Sequence, residues 1–164
     1  QLLRMANIDA AGSGEKQSLI AVDLVSLAQS VTADFVPSAA DADIDLGFEE
    51  VEPATVEAEP LLLRELLGNL ISNAIAYAGR GSEITVRVRK IDGRARLEVE
   101  DNGIGIPAEK RAVVRQRFAR GEGNVAPGAG LGLAIVEEIA TLFKAELVLE
   151  NGAGGQGLKA SIRF

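Results

Sequence analysis

The chain has 164 residues, 47% hydrophobic and 25% charged, enough for one globular domain with a substantial core. It contains no Cys and no His, which excludes disulfides, thiolate nucleophiles, Cys-ligated metals and the commonest general base. A net charge of −7 argues against a nucleic-acid backbone as partner, and no apolar run reaches the roughly 20 residues that cross a bilayer. The segment is expected to be soluble, with its chemistry run by carboxylates, amides, arginines and backbone groups.

Leu2, Leu3, Met5, Ala6 and Ile8 recur at helical spacing with no cap before them, as in the tail of a helix begun upstream or a frayed terminus. Gly12, Ser13 and Gly14 then mark a linker. A short strand is expected over residues 19–24, followed by an amphipathic helix over Leu24–Val36 that stops before Pro37. Ile44–Phe48 and Val51–Val56 are candidate strands on either side of an acidic turn. Pro60 opens and Gly79 closes the clearest helix, Leu61–Ala78.

Next comes a hairpin with a mechanism. Ile84, Val86 and Val88 alternate with polar residues, Asp92-Gly93 supplies a two-residue turn, and Ala95, Leu97 and Val99 alternate on the return. A glycine-rich loop follows Asp101, then a short helix after Pro107. Residues 119–130 hold four glycines and a proline and are expected to be mobile. Leu131–Phe143 reads as a second apolar helix. Leu147, Leu149, Leu158, Ala160, Ile162 and Phe164 form a closing hairpin around Gly152–Gly157. Alternation gives each hairpin strand one buried face. The expected fold is α/β (α+β), a two-layer sandwich with a mixed, mostly antiparallel sheet packed on helices.

Three constellations can carry chemistry. On the long helix, at about 100° per residue, Asn69 and Asn73 share one edge of the apolar arc, with Tyr77 a turn further on. They are either boundary residues satisfied by backbone, or an oxygen ligand for a hard cation beside a residue that orients phosphate or water. Asp101 shares parity with Ala95, Leu97 and Val99, so its carboxylate points inward at a strand end, with no Lys or Arg on that strand face. A turn-forming Asp is the plain alternative; Gly103, Gly105 and Pro107 behind it make a tight loop able to approach a planar ligand. Gly128, Gly130, Leu131 and Gly132 run into the helix of Leu133 and Ile135, exposing N–H groups suited to phosphate, with Arg117 and Arg120 upstream as fixed positive charge. There is no P-loop motif. Gly103–Ala108 fits the dinucleotide pattern in letters only, since a hairpin precedes it.

In order, these elements resemble the ATP-binding catalytic domain of bacterial two-component sensor histidine kinases, in the GHKL ATPase superfamily. The stretch 66–77 resembles the N box, 101–107 the G1 box, 117–120 the F box and 128–136 the G2 box. The resemblance implies a five-stranded sheet on three helices, with residues 13–164 as the catalytic domain and 1–12 as the tail of an upstream dimerisation helix. It implies that Asp101 accepts a hydrogen bond from the adenine amino group, that Asn73 coordinates Mg²⁺, and that Asn69 holds the phosphates or metal-bound water. Tyr77 and Ile106 would line the base or ribose, while Gly103 and Gly105 let the loop approach it. Gly128, Gly130, Leu131, Gly132 and Leu133 would form the lid hinge and phosphate cradle, with Phe118 anchoring the lid and Arg120 reaching phosphate.

ATP and Mg²⁺ are thus the implied cofactors, and a histidine on a dimerisation domain and then a response regulator the implied partners. The domain alone would be a monomer and the intact protein a homodimer. The domain would be cytoplasmic, its parent anchored in the bacterial inner membrane. Two departures stand out: Ala76 replaces the usual Lys or Arg, and no phosphoacceptor histidine is present. Alternatives are another GHKL enzyme, such as an anti-sigma-type serine kinase or ATPase, or a degenerate nucleotide-sensing or docking module.

Overall fold

A computed structural model describes residues 19–50, 52–114 and 132–164. Strand β1 (Ile20–Asp23) leads into helix α1 (Leu24–Asp41), and β2 (Asp45–Glu50) and β3 (Thr55–Ala58) into helix α2 (Pro60–Ala78). The hairpin β4 (Glu83–Ile91) and β5 (Arg94–Asp101) precedes the one-turn helix α3 (Arg111–Val114). Helix α4 (Gly132–Leu142), β6 (Glu146–Asn151) and β7 (Leu158–Arg163) complete the order.

The main sheet has five strands in the order β2-β4-β5-β7-β6, all neighbours antiparallel except the parallel pair β2–β4. Helices α1, α2 and α4 cover one face, with α2 against both of the others. Their fully buried Leu63, Leu66, Leu67, Ile71, Ile135 and Ile139 meet Ile84, Val86, Leu97, Leu147 and Ile162 of the strands. The other face is ionic: Arg87 bridges Glu49 at 2.5 Å and Glu100, and Arg89 pairs with Glu98 at 3.1 Å. This is the expected two-layer sandwich on three helices. The β1–β3 ribbon is separate from the main sheet, which alternation alone did not reveal.

Local chemistry explains the element starts. The Asp23 carboxylate accepts from the N–H groups of Val25 and Ser26 at 3.0 and 3.2 Å, capping α1. Glu59 does the same for Leu61 and Leu62 at 3.1 and 2.7 Å, with Pro60 in the first helical position. Asp92 and Gly93 have φ of 53° and 75°, as a type I′ hairpin turn requires.

Two expected boundaries are corrected. Helix α1 does not stop before Pro37 but continues through it to Asp41. The extra turn buries Ala39 and lets its carbonyl accept from the Ile44 N–H at 2.9 Å, so tertiary packing outweighs the missing proline donor. Pro37→Ala should therefore stabilise the domain by about 1–2 kcal/mol, net of the unfolded-state entropy that proline removes. A thermal melt should rise by roughly 2–8 °C; an unchanged or lower midpoint would contradict it. The strand expected at Val51–Val56 begins instead at Thr55, because Pro53 has no N–H and Glu52 donates to Val88 O at 3.3 Å at the end of the β2 side.

Candidate functional site

Asp101 ends β5 on its inward face and is buried, as parity requires. Its carboxylate accepts from the Gly103 N–H at 2.9 Å and from the Leu158 N–H. Burial nonetheless pushes its pKa above the ordinary 3.8, outweighing the two backbone donors that lower it, and the neighbouring Glu100 charge adds to the rise. An acid with no cationic partner among the described residues, held by two backbone donors, is oriented to accept one more hydrogen bond.

Backbone contact holds the loop after Asp101 in place. A Cβ on Gly103 would lie 2.5 Å from the Ala78 backbone, so the loop sits directly on the end of α2. The Asn102 side chain accepts from the Glu83 N–H at 2.9 Å, tying the loop to the start of β4. Ile104 is 89% exposed, and Ile106 is half-buried.

On α2, Asn69 and Asn73 are half-buried, and Tyr77 is exposed a turn further on. Asn69 Nδ2 donates to Glu65 O at 2.8 Å, so its amide nitrogen is used within its own helix. Asn73 differs. Its Nδ2 is buried and has no hydrogen-bond partner among the described residues. A Cβ on Gly132 would lie 2.7 Å from both Asn73 amide atoms, so this carboxamide abuts the N-terminus of α4. An orphaned amide beside the positive end of a helix suits an anionic oxygen, while an amide carbonyl suits a hard cation. The residues present therefore fit a phosphate chain bearing Mg²⁺. No cluster of three carboxylates among the described residues offers another preformed cation site.

The structure thus brings Asn73 to Gly132, Gly103 to the end of α2, and Asp101 to Gly103. Leu133 is half-buried in the first turn of α4. Arg117, Phe118, Arg120, Gly128, Gly130 and Leu131 lie outside the described residues. Sequence reasoning missed the β6–β7 turn: a Cβ on Gly157 would lie 1.8 Å from Asp101 O, so this turn buttresses the acid. The glycine cluster 152–157 was the available signal, but it read as a turn only. Arg111 was missed as well.

The site thus consists of an acid at the strand rim, a glycine loop and an amide facing a helix N-terminus. Residues 58–164 match the family described as "Histidine kinase-, DNA gyrase B-, and HSP90-like ATPase". The chain is 32% identical over 163 residues to the sensor protein kinase PmrB of Pseudomonas aeruginosa, covering 99% of this chain and 34% of that protein. It is 35% identical over 164 residues to the sensor protein CreC of Escherichia coli strain K12, covering 99% and 34%.

Among solved structures, the mycobacterial sensor histidine kinase MprB superposes with a TM-score of 0.78 at 27% identity, over 89% of this chain and 96% of that one. Full-length ShkA in complex with AMPPNP gives 0.82 at 28%, over 99% and 35%. The chain belongs to this ATPase family, as a catalytic ATP-binding domain of the sensor histidine kinase type. It spans about a third of the length of the curated relatives it matches.

Proposed function

We propose that this domain binds ATP with Mg²⁺ and delivers the γ-phosphoryl group to a histidine on a dimerisation domain. In that step the bond from the γ-phosphorus to the bridging oxygen breaks, a phosphorus–nitrogen bond forms to the imidazole, and ADP leaves. A response regulator would then take the phosphoryl group. Residues 1–12 read as the tail of the dimerisation helix and 13–164 as the catalytic domain, in a homodimeric parent anchored in the inner membrane with this domain in the cytoplasm. The observation that carries the reading is the pairing of a buried acceptor, Asp101, with an orphaned amide, Asn73, that faces a helix N-terminus.

The chain's own residues position and neutralise. Asp101 accepts from the adenine amino group; Gly103 and Gly105 let the loop lie close to the base, beside Ile106 and Tyr77. Asn73 and Asn69 orient the phosphates, and Asn73 would hold Mg²⁺, which would supply charge neutralisation of the phosphate chain when bound. The segment with Gly128, Gly130, Leu131, Gly132 and Leu133 cradles phosphate, with Phe118 anchoring it and Arg120 adding charge. Ala76 is exposed where the family usually carries a cation, so one phosphate contact is absent.

Calorimetric titration of the chain with ATP should show Mg²⁺-dependent binding, and absence of binding would overturn the proposal. Asn73→Ala should weaken Mg·ATP binding by about 10- to 100-fold, the scale of a lost charge-assisted contact. It should leave the melting temperature nearly unchanged, because the deleted amide nitrogen has no partner to lose among the described residues. Unaltered magnesium titrations would rule out its role. Radiolabel transfer to an added dimerisation domain checks the acceptor; tight ATP binding without transfer would favour a sensing or docking module.

A further inference from the structure

Arg111 lies just beyond the loop that follows Asp101, and its guanidinium serves three acceptors at once. Nε donates to Ile106 O at 3.0 Å, one Nη to Leu149 O at 3.3 Å, and the other Nη to the Asn151 side-chain oxygen. Leu149 and Asn151 belong to β6, the outer strand of the main sheet. An edge strand exposes main-chain groups that no strand pairs with, and these offer a rigid anchor. The near end of the loop is fixed by Gly103 on Asp101 and Asn102 on Glu83. Its middle is fixed at Gly105, whose Cβ would lie 2.5 Å from Gly157 O. Arg111 supplies the hold at the far end, where Pro107 has no N–H to give.

We infer that Arg111 is a positioning residue for nucleotide recognition, pinning Ile106 and loop 102–107 to the edge of β6 before the nucleotide arrives. The inference rests on the nucleotide-binding reading above. Preorganising the loop removes an ordering cost that binding would otherwise bear. Only a planar, forked cation reaches three divergent acceptors; a lysine ammonium at this position keeps the charge and loses the fork.

The test uses the full 164-residue chain with Mg·ADP as probe, together with amide hydrogen exchange of each variant without nucleotide. Arg111→Ala should weaken Mg·ADP binding about tenfold and speed exchange in residues 102–106, while exchange in α2 and β5 stays at the wild-type rate. Arg111→Lys should fall between the two and serves as the test if the alanine variant does not fold. Wild-type ADP affinity in a folded variant overturns the inference. Weakened binding with faster exchange throughout the domain also overturns it, since that is general destabilisation. Failure of the wild-type chain to bind ADP sinks the functional reading instead, and the exchange data then decide by themselves whether Arg111 holds the loop.

Discussion

Asp101→Asn is expected to weaken adenine-nucleotide binding by about 10- to 100-fold without lowering thermal stability. The carboxylate presents only acceptors, and two backbone N–H groups already converge on it. An amide replaces one oxygen with a donor, so one contact in the set becomes donor against donor. In a buried position that mispairing costs about 1–3 kcal/mol, or roughly 10- to 100-fold in affinity. The fold loses little, because the native state pays a desolvation penalty for this charge. Titration calorimetry and a thermal melt on the same variant check both halves. Equal ATP affinity would remove Asp101 from base recognition, and a large fall in melting temperature would make it a structural acid.

The raised pKa gives this prediction a pH signature. The native carboxyl takes up its proton at a higher pH than the unfolded one, whose ordinary value is 3.8. As pH falls through the raised native value, the native state binds more protons than the unfolded state, so this group's contribution to stability increases. Nucleotide affinity moves oppositely, since the protonated acid is a poorer acceptor. As pH is lowered, the affinity of the wild type should therefore begin to fall while pH is still above 3.8, and its stability relative to Asp101→Asn should rise over the same range.

Gly157→Ala is expected to cost about 2–4 kcal/mol, combining a steric collision with a left-handed backbone. Gly157 has φ of 74°, and its added Cβ would lie 1.8 Å from Asp101 O and 2.8 Å from Asn102 Cα. All of the opposing atoms are main chain, so no side chain can rotate away. The end of β5 must move, and nucleotide affinity should fall with stability. Gly154→Ala is the control: φ is 70°, but nothing lies within 4 Å of the new Cβ. It should cost only the conformational penalty, about 1–2 kcal/mol. The melting temperature should fall by roughly 4–16 °C for Gly157→Ala and by less for Gly154→Ala. Equal losses would show that the approach to Asp101 is unimportant.

Much of this was legible along the chain because its causes are local. The Asp92-Gly93 turn sets the β4–β5 register, and the register carries Asp101 inward by parity alone. The apolar arc of α2 follows from spacing, as do the positions of Asn69 and Asn73 at its edge. The continuation of α1 through Pro37 was not legible, because burial of Ala39 against the rest of the domain outweighs a local rule. Nor was Arg111, whose partners on β6 lie 38 and 40 residues away.

The sequence by itself determined the alternation, the caps and turns, and the order of polar groups in the proposed nucleotide site. Each depends on neighbours within a turn or a strand pair. Only the tertiary structure decided that the Asn73 amide meets the start of α4, that Gly157 braces Asp101, and that Arg111 ties loop 102–107 to a sheet edge. Those contacts join segments far apart in sequence, and their energy comes from close approach and burial, which no local pattern encodes.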